Sequence, residues 1–158
     1  MAAVQRTIGM DSTRPANVKT KSLRGPWTEP GAHEAVTAWL RLSTSRAESI
    51  DLVGCQYDGI ARGARKAFED HPDSDERTRW LNLPFTGVDG LPEEGQAWVD
   101  EGSLTATVVS GTTTRIAIEM AVKALQSGTQ PPESTLIELK SYPPLERLSM
   151  LGFQRRTK

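Results

Sequence analysis

The stretch PFTGVDGLPEEGQAWVDEG, residues 84–102, decides how the rest of the chain is read. It begins as a short apolar run, meets a lone aspartate, turns through Gly90-Leu91-Pro92, and continues with helix-period spacing to Gly102. A run rich in β-formers predicts a buried strand over 84–88. Pro at the first turn, followed by two glutamates where a helix dipole favours negative charge, predicts a helix that closes at Gly102. A strand that runs straight into a helix is half of a βαβ unit, and Asp89 stands at the junction.

The same alternation extends in both directions. Strands are expected at 18–24 (VKTKSLR), 50–56 (IDLVGCQ), 104–109 (LTATVV) and 135–139 (TLIEL). Helices are expected between them. PGAHEAVTAWLRLST puts Ala35, Val36, Trp39, Leu40 and Leu42 on one stripe, and YDGIARGARKAFED does so with Ile60, Ala64, Ala67 and Phe68. TTTRIAIEMAVKALQSG starts on threonines able to cap and ends on Gly128, a left-handed C-cap position. Strands alternating with helices predict an α/β fold: a single doubly wound, mainly parallel sheet of five to six strands with helices on both faces. One lobe over 1–147 and a tail over 148–158 are expected. DHPDSDERTRWLNL (70–83) reads as a solvated loop or short helix pinned by Trp80 and Leu81.

A length of 158 residues suits one domain with a real core. Nineteen basic and 20 acidic residues give a net charge of −1, so no global field recruits nucleic acid. Cys55, the single cysteine, lies in an apolar run and is expected to be an inert thiol. The opening MAAVQRTIGM lacks the apolar core of a signal peptide, and no window approaches the length of a membrane span, so a soluble chain without an address is expected. His33 and His71 have no metal-ligand partner at suitable spacing, and no metal or cofactor is expected. The dinucleotide, P-loop and nucleophile-elbow motifs are absent, which weighs against an enzyme.

Ligands of open parallel sheets bind outside the carboxyl ends of the strands. The first expected strand is followed by Trp27, the second by Gln56, Tyr57 and Asp58, the third by Asp89, and the fourth by Ser110 and Thr112. An aromatic face with a few fixed hydrogen-bonding groups suits a small polar solute. Each residue has a structural alternative. Trp27 can plug the sheet edge, Tyr57 can lie on the surface, Asp58 can cap its helix, and Asp89 can be a turn residue. The run SGTTT can be a plain helix cap or an anion site. Asp58 and Asp89 also admit an acid–base pair, although nothing completes such a site.

With these residues in view, three segments carry a resemblance: IDLVGCQYDGIARGARKAFED, LPFTGVDGLPEEGQAWVDEGSLTATVVSGTTTRIAIEMAVKAL and GTQPPESTLIELKSYPPLE. Together they resemble the C-terminal lobe of type I periplasmic binding proteins, the sugar-binding components of ABC transporters, over about residues 6–147. Lactose-repressor-type regulators share this core. The resemblance implies that Trp27 stacks on a sugar ring and that Asp89 accepts from two hydroxyls. It also places Arg6 as a sugar contact. Tyr57 stands where an asparagine is common, and Ser110 where Gln or Asn is common. A sugar or polyol solute, an ABC permease, a missing N-terminal lobe and a periplasmic location are implied. A homodimer across the exposed lobe face is a further expectation. The alternative function is the effector lobe of a transcriptional regulator, in which this lobe itself contacts no nucleic acid.

Overall fold

A computed structural model describes residues 2–150. In chain order it contains α1 (Ala2–Thr13), α2 (Glu29–Leu40), α3 (Ser43–Ala47), β1 (Val53–Gly54), α4 (Asp58–Glu69), α5 (Ser74–Leu81) and β2 (Phe85–Asp89). A π-helical turn, Pro92–Gln96, then leads into α6 (Ala97–Asp100), followed by β3 (Ala106–Val109), α7 (Thr113–Ser127), β4 (Lys140–Tyr142) and α8 (Leu145–Met150). The strands lie in the order β1-β2-β3-β4; β1, β2 and β3 run parallel, while β4 is antiparallel to β3. The α/β class with a mainly parallel sheet stands.

Two expected strands did not form, and the sheet among the described residues has four strands rather than five to six. Residues 18–24 form no strand, and 135–139 are likewise outside the sheet, with Leu136 almost fully exposed. The chain joins the sheet only at the next residue, where Lys140, Ser141 and Tyr142 pair with Val109, Val108 and Thr107. β-rich composition is a tendency, and a strand exists only where a neighbour supplies the ladder. Because β4 is antiparallel, the sheet is mainly and not wholly parallel. The 147–148 boundary falls within α8, and the tail beyond residue 150 lies outside the described residues.

The core sits between the helix pair α2/α4 and the sheet. Val36 and Trp39 of α2 meet Ala61, Ala64, Ala67 and Phe68 of α4, above Phe85 of β2 and Leu104. Four aromatic rings form its centre: Trp39 lies edge-on to Trp80 at 5.3 Å, Phe68 stacks with Trp80 at 5.4 Å, and Phe68 meets Phe85 edge-on at 5.9 Å. Such pairs add to the area each ring buries. The segment after Asp70 is therefore a helix, capped by Asp73, whose carboxylate accepts from the backbone of Asp75 and Glu76, and it is anchored by a buried Trp80. Leu42, expected on the α2 stripe, is exposed. α7 forms and ends on Gly128 at φ 63° as its sequence predicts. It buries none of its residues, and Ile118, Val122 and Leu125 face outward.

Candidate functional site

The site is built where β1, β2 and β3 end side by side. Asp89 is the last residue of β2 and pairs in register with Val109, so Ser110 is the next residue along the same edge. β1 ends one strand away, and its exit brings Gln56 and Tyr57 to the start of α4. The fourth contributor does not need a strand beneath it. Trp27 immediately precedes Thr28, whose hydroxyl accepts the N–H of Gly31 and caps α2.

These exits converge. The Trp27 and Tyr57 rings stack at 6.0 Å with their planes 27° apart. The Arg6 guanidinium, from α1, lies 5.6 Å from the centre of the Trp27 ring. The same guanidinium donates to Asp89 Oδ1 at 2.9 Å and to the backbone carbonyl of Gln56. Ser110 N donates to the Asp89 carbonyl at 3.2 Å, with Ser110 Oγ at 3.5 Å from the same oxygen. All five residues expected at a binding edge therefore share one rim. Trp27 is 42% exposed. The Arg6–Asp89 pair is half-buried at 33% and 39% side-chain exposure, which leaves the carboxylate accessible on one side.

Charge around Tyr57 has a definite sense. Its partial burial and the neighbouring carboxylates of Glu29, Glu94 and Asp89 all raise the phenol above its ordinary value of 10.0, so at neutral pH the hydroxyl stays protonated and able to donate. Beside it, burial pushes the Cys55 thiol up to about 12, with the Asp58 charge adding to the effect. That accords with an inert cysteine.

Two residues beneath the rim carry more than the sequence suggests. Gln56 donates through its amide to Thr7 Oγ1 at 2.9 Å and, more weakly, to the Ala3 carbonyl at 3.4 Å, which docks α1 onto the β1 exit and brings Arg6 to Asp89. Asp58 is 2% exposed and turned inward: Oδ2 accepts the Gly90 N–H at 2.8 Å and Oδ1 accepts the Thr107 hydroxyl at 2.6 Å. Enclosed in this way, it does not share the rim with Asp89, and the acid–base pair considered from sequence does not form. Its signal in sequence is faint, since glycines at 87 and 95 leave room for it only once the fold brings them together.

The remaining candidates are structural. Thr112 precedes α7 without a side-chain capping bond. His33 Nε2 meets Asp70 Oδ2 at 2.9 Å on the far end of α4, and His71 bonds within the turn that starts α5. Among the described residues no group of three or more His, Cys, Asp and Glu could hold a metal ion, and no helix is long and apolar enough to cross a membrane.

No family model matches the chain. It is 30% identical over 143 residues to the D-galactose/methyl-galactoside binding periplasmic protein MglB of Haemophilus influenzae, covering 88% of this chain and 40% of that protein. Its fold is similar to a galactofuranose binding protein, with a TM-score of 0.68 at 22% identity, over 93% of this chain and 50% of the other. It is also similar to the periplasmic component of the arabinose ABC transporter of Shewanella sp. ANA-3, bound to L-arabinofuranose, with a TM-score of 0.66 at 20% identity over 98% and 50% of the two chains. The chain thus spans 40% of the length of its curated relative and half that of these solved structures. With its parallel strands, their exits and the helix order already described, the chain is a lobe of the type I periplasmic-binding-protein fold.

Proposed function

We propose that the rim is one wall of a binding site for a monosaccharide or similar polyol, and that the chain serves as the solute-binding lobe of an ABC-transporter substrate-binding protein. The observation that carries this reading is the convergence of the Trp27 face, the Asp89 carboxylate and the Arg6 guanidinium at a single strand-exit edge. A sugar ring has an apolar C–H face and a perimeter of hydroxyls. Trp27 offers area to the face, Asp89 accepts from hydroxyls, and Arg6 and the neutral Tyr57 phenol donate to their oxygens. The related proteins named above bind D-galactose and methyl-galactoside, galactofuranose or L-arabinofuranose, which supports the solute class. The names of these relatives are those of binding proteins, and Asp58 is turned inward, away from Asp89, which supports binding without turnover.

A single wall covers a solute on one side only, whereas small-molecule sites bury most of the ligand surface. A second lobe closing over the rim supplies the opposite wall in this proposal, an ABC permease reads the closed state, and the setting is periplasmic. The second lobe takes precedence over a homodimer across the same face because a solute needs the rim free. For the chain alone the expected affinity for D-galactose is in the millimolar range. Nuclear magnetic resonance detects it as a saturable shift of the Trp27 indole N–H, assigned by its disappearance in Trp27→Ala, on titration with D-galactose, and the shift is abolished in Asp89→Ala. A Trp27 signal that stays fixed through a panel of hexoses, pentoses and inositols refutes the proposal.

A further inference from the structure

We infer that Asp58 is a positioning residue for Asp89: by holding the Gly90 N–H from inside the lobe, it sets the backbone that presents the Asp89 carboxylate to Arg6 and to a ligand at the rim. The function of that rim as a sugar wall rests on the reading above, while the geometry of positioning stands apart from it.

The peptide unit between Asp89 and Gly90 is held at both ends. Its carbonyl accepts from Ser110 N at 3.2 Å, and its N–H donates to Asp58 Oδ2 at 2.8 Å. One partner comes from the exit of β3 and the other from the first turn of α4, so two separate elements fix the plane. Asp89 consequently adopts φ 106°, the only non-glycine residue at positive φ among those described. A residue there persists only when its surroundings over-determine it. An aspartate in ordinary extended backbone at the end of β2 would send its side chain along a different direction, because a change of φ rotates the Cα–Cβ bond about the chain.

Asp58 itself has almost no freedom. A Cβ on Gly87 would overlap Oδ1, and a Cβ on Gly95 would overlap Oδ2, so the carboxylate is wedged between β2 and the π-helical turn. The Thr107 hydroxyl donates to Oδ1 at 2.6 Å and orients the group from β3. A buried carboxyl is costly in water-free surroundings, and burial indeed raises it above its ordinary value of 3.8. An apolar side chain or a plain helix cap at the start of α4 would avoid that cost. What the carboxyl does here is accept one N–H at the Asp89–Gly90 turn, linking α4, β3 and the rim in one connected network.

The test uses the full chain labelled with 15N-arginine. The Arg6 guanidinium signal, assigned with Arg6→Lys, reports whether the Asp89 pair is held, and it does so with no sugar present. Asp58→Ala is expected to move this signal toward the free-arginine position and to reduce the D-galactose-induced shift of Trp27 at least fivefold. Asp58→Asn keeps an acceptor for the Gly90 N–H and can donate to Thr107, so it is expected to retain the Arg6 signal. Gly95→Ala leaves Asp58 in place but puts a methyl where Oδ2 sits, and is expected to release Arg6 as Asp58→Ala does. This variant decides the matter if Asp58→Ala does not fold. Folded Asp58→Ala or Gly95→Ala protein with a wild-type Arg6 signal overturns the inference, as does Asp58→Asn behaving like Asp58→Ala. If wild-type protein ignores every sugar yet the Arg6 signal follows this order, positioning stands and the sugar reading fails.

Discussion

Asp89 carries a conflict between stability and function that two substitutions separate. At φ 106° its backbone lies where side chains are disfavoured, a strain of about 1–3 kcal/mol. Glycine adopts this conformation freely, but costs about 0.5–1 kcal/mol in unfolded-state entropy. Either substitution also removes the half-exposed pair with Arg6, worth about 0–1 kcal/mol after solvent screening. Asp89→Gly therefore relieves the strain and should remain within about 1 kcal/mol of wild type. Asp89→Ala keeps the strain and loses the pair. The difference between the two variants is the strain less the glycine entropy, about 0–2.5 kcal/mol with a midpoint of about 1.3 kcal/mol. For a chain of this size the midpoint corresponds to roughly 3–5 °C in Tm. Thermal unfolding followed by circular dichroism measures it. Both variants should lose the D-galactose-induced Trp27 shift, so glycine should yield a protein that is the more stable of the two and equally unable to bind. Equal Tm values for the two variants, or an alanine variant that melts higher, would refute the strain argument and with it the view that the turn is held for the sake of its side chain.

Other expectations follow from the same geometry. Trp80→Ala should cost about 3–5 kcal/mol by urea denaturation, because the ring is buried against Trp39 and Phe68; Trp80→Phe should cost less, since the Trp80 Nε1 it removes is buried without a partner. Burial raises the Asp58 carboxyl above 3.8, with the charges of Asp89 and Glu94 adding and the bonds from Thr107 and Gly90 opposing. The folded state then holds that proton to higher pH than the unfolded state does, so its contribution is complete below the unfolded value and is lost as pH rises through the folded one. Wild-type Tm should accordingly fall relative to Asp58→Asn as pH is raised from about 3.8 through the folded value, and a gap that shrinks instead contradicts the burial argument. With its thiol pushed up to about 12 from 9.0, native Cys55 should react with iodoacetamide at pH 8 about a thousandfold more slowly than in urea; comparable rates would show an open thiol.

The opening stretch was legible because its information is local. Phe85, Thr86 and Val88 favour a strand, Pro92 and the two glutamates favour a helix start, and each of these preferences acts within a few residues. Gly128 at the end of α7 and the buried faces of α2 and α4 were legible for the same reason. The rim itself was legible through one further rule, that parallel strands release their ligand-facing residues at the same edge. What the chain order could not carry is partnership. Residues 18–24 and 135–139 have strand composition and no neighbour, whereas Lys140–Tyr142, with weaker composition, found β3 and paired with it in the opposite sense. Asp58 reads as a first-turn charge on α4, yet it is the contact of α4 with Gly90 and Thr107, 32 and 49 residues away, that makes it a support beneath the rim. The docking of α1 through Gln56 and Thr7, and with it the placing of Arg6, joins residues 49 apart. Propensity, capping and hydrophobic period belong to the chain by itself, because each is settled among near neighbours. Ladder partners, buried hydrogen bonds and the strained turn at Asp89 belong to the tertiary structure, because each is the meeting of groups that only the closed fold brings within 3 Å of one another.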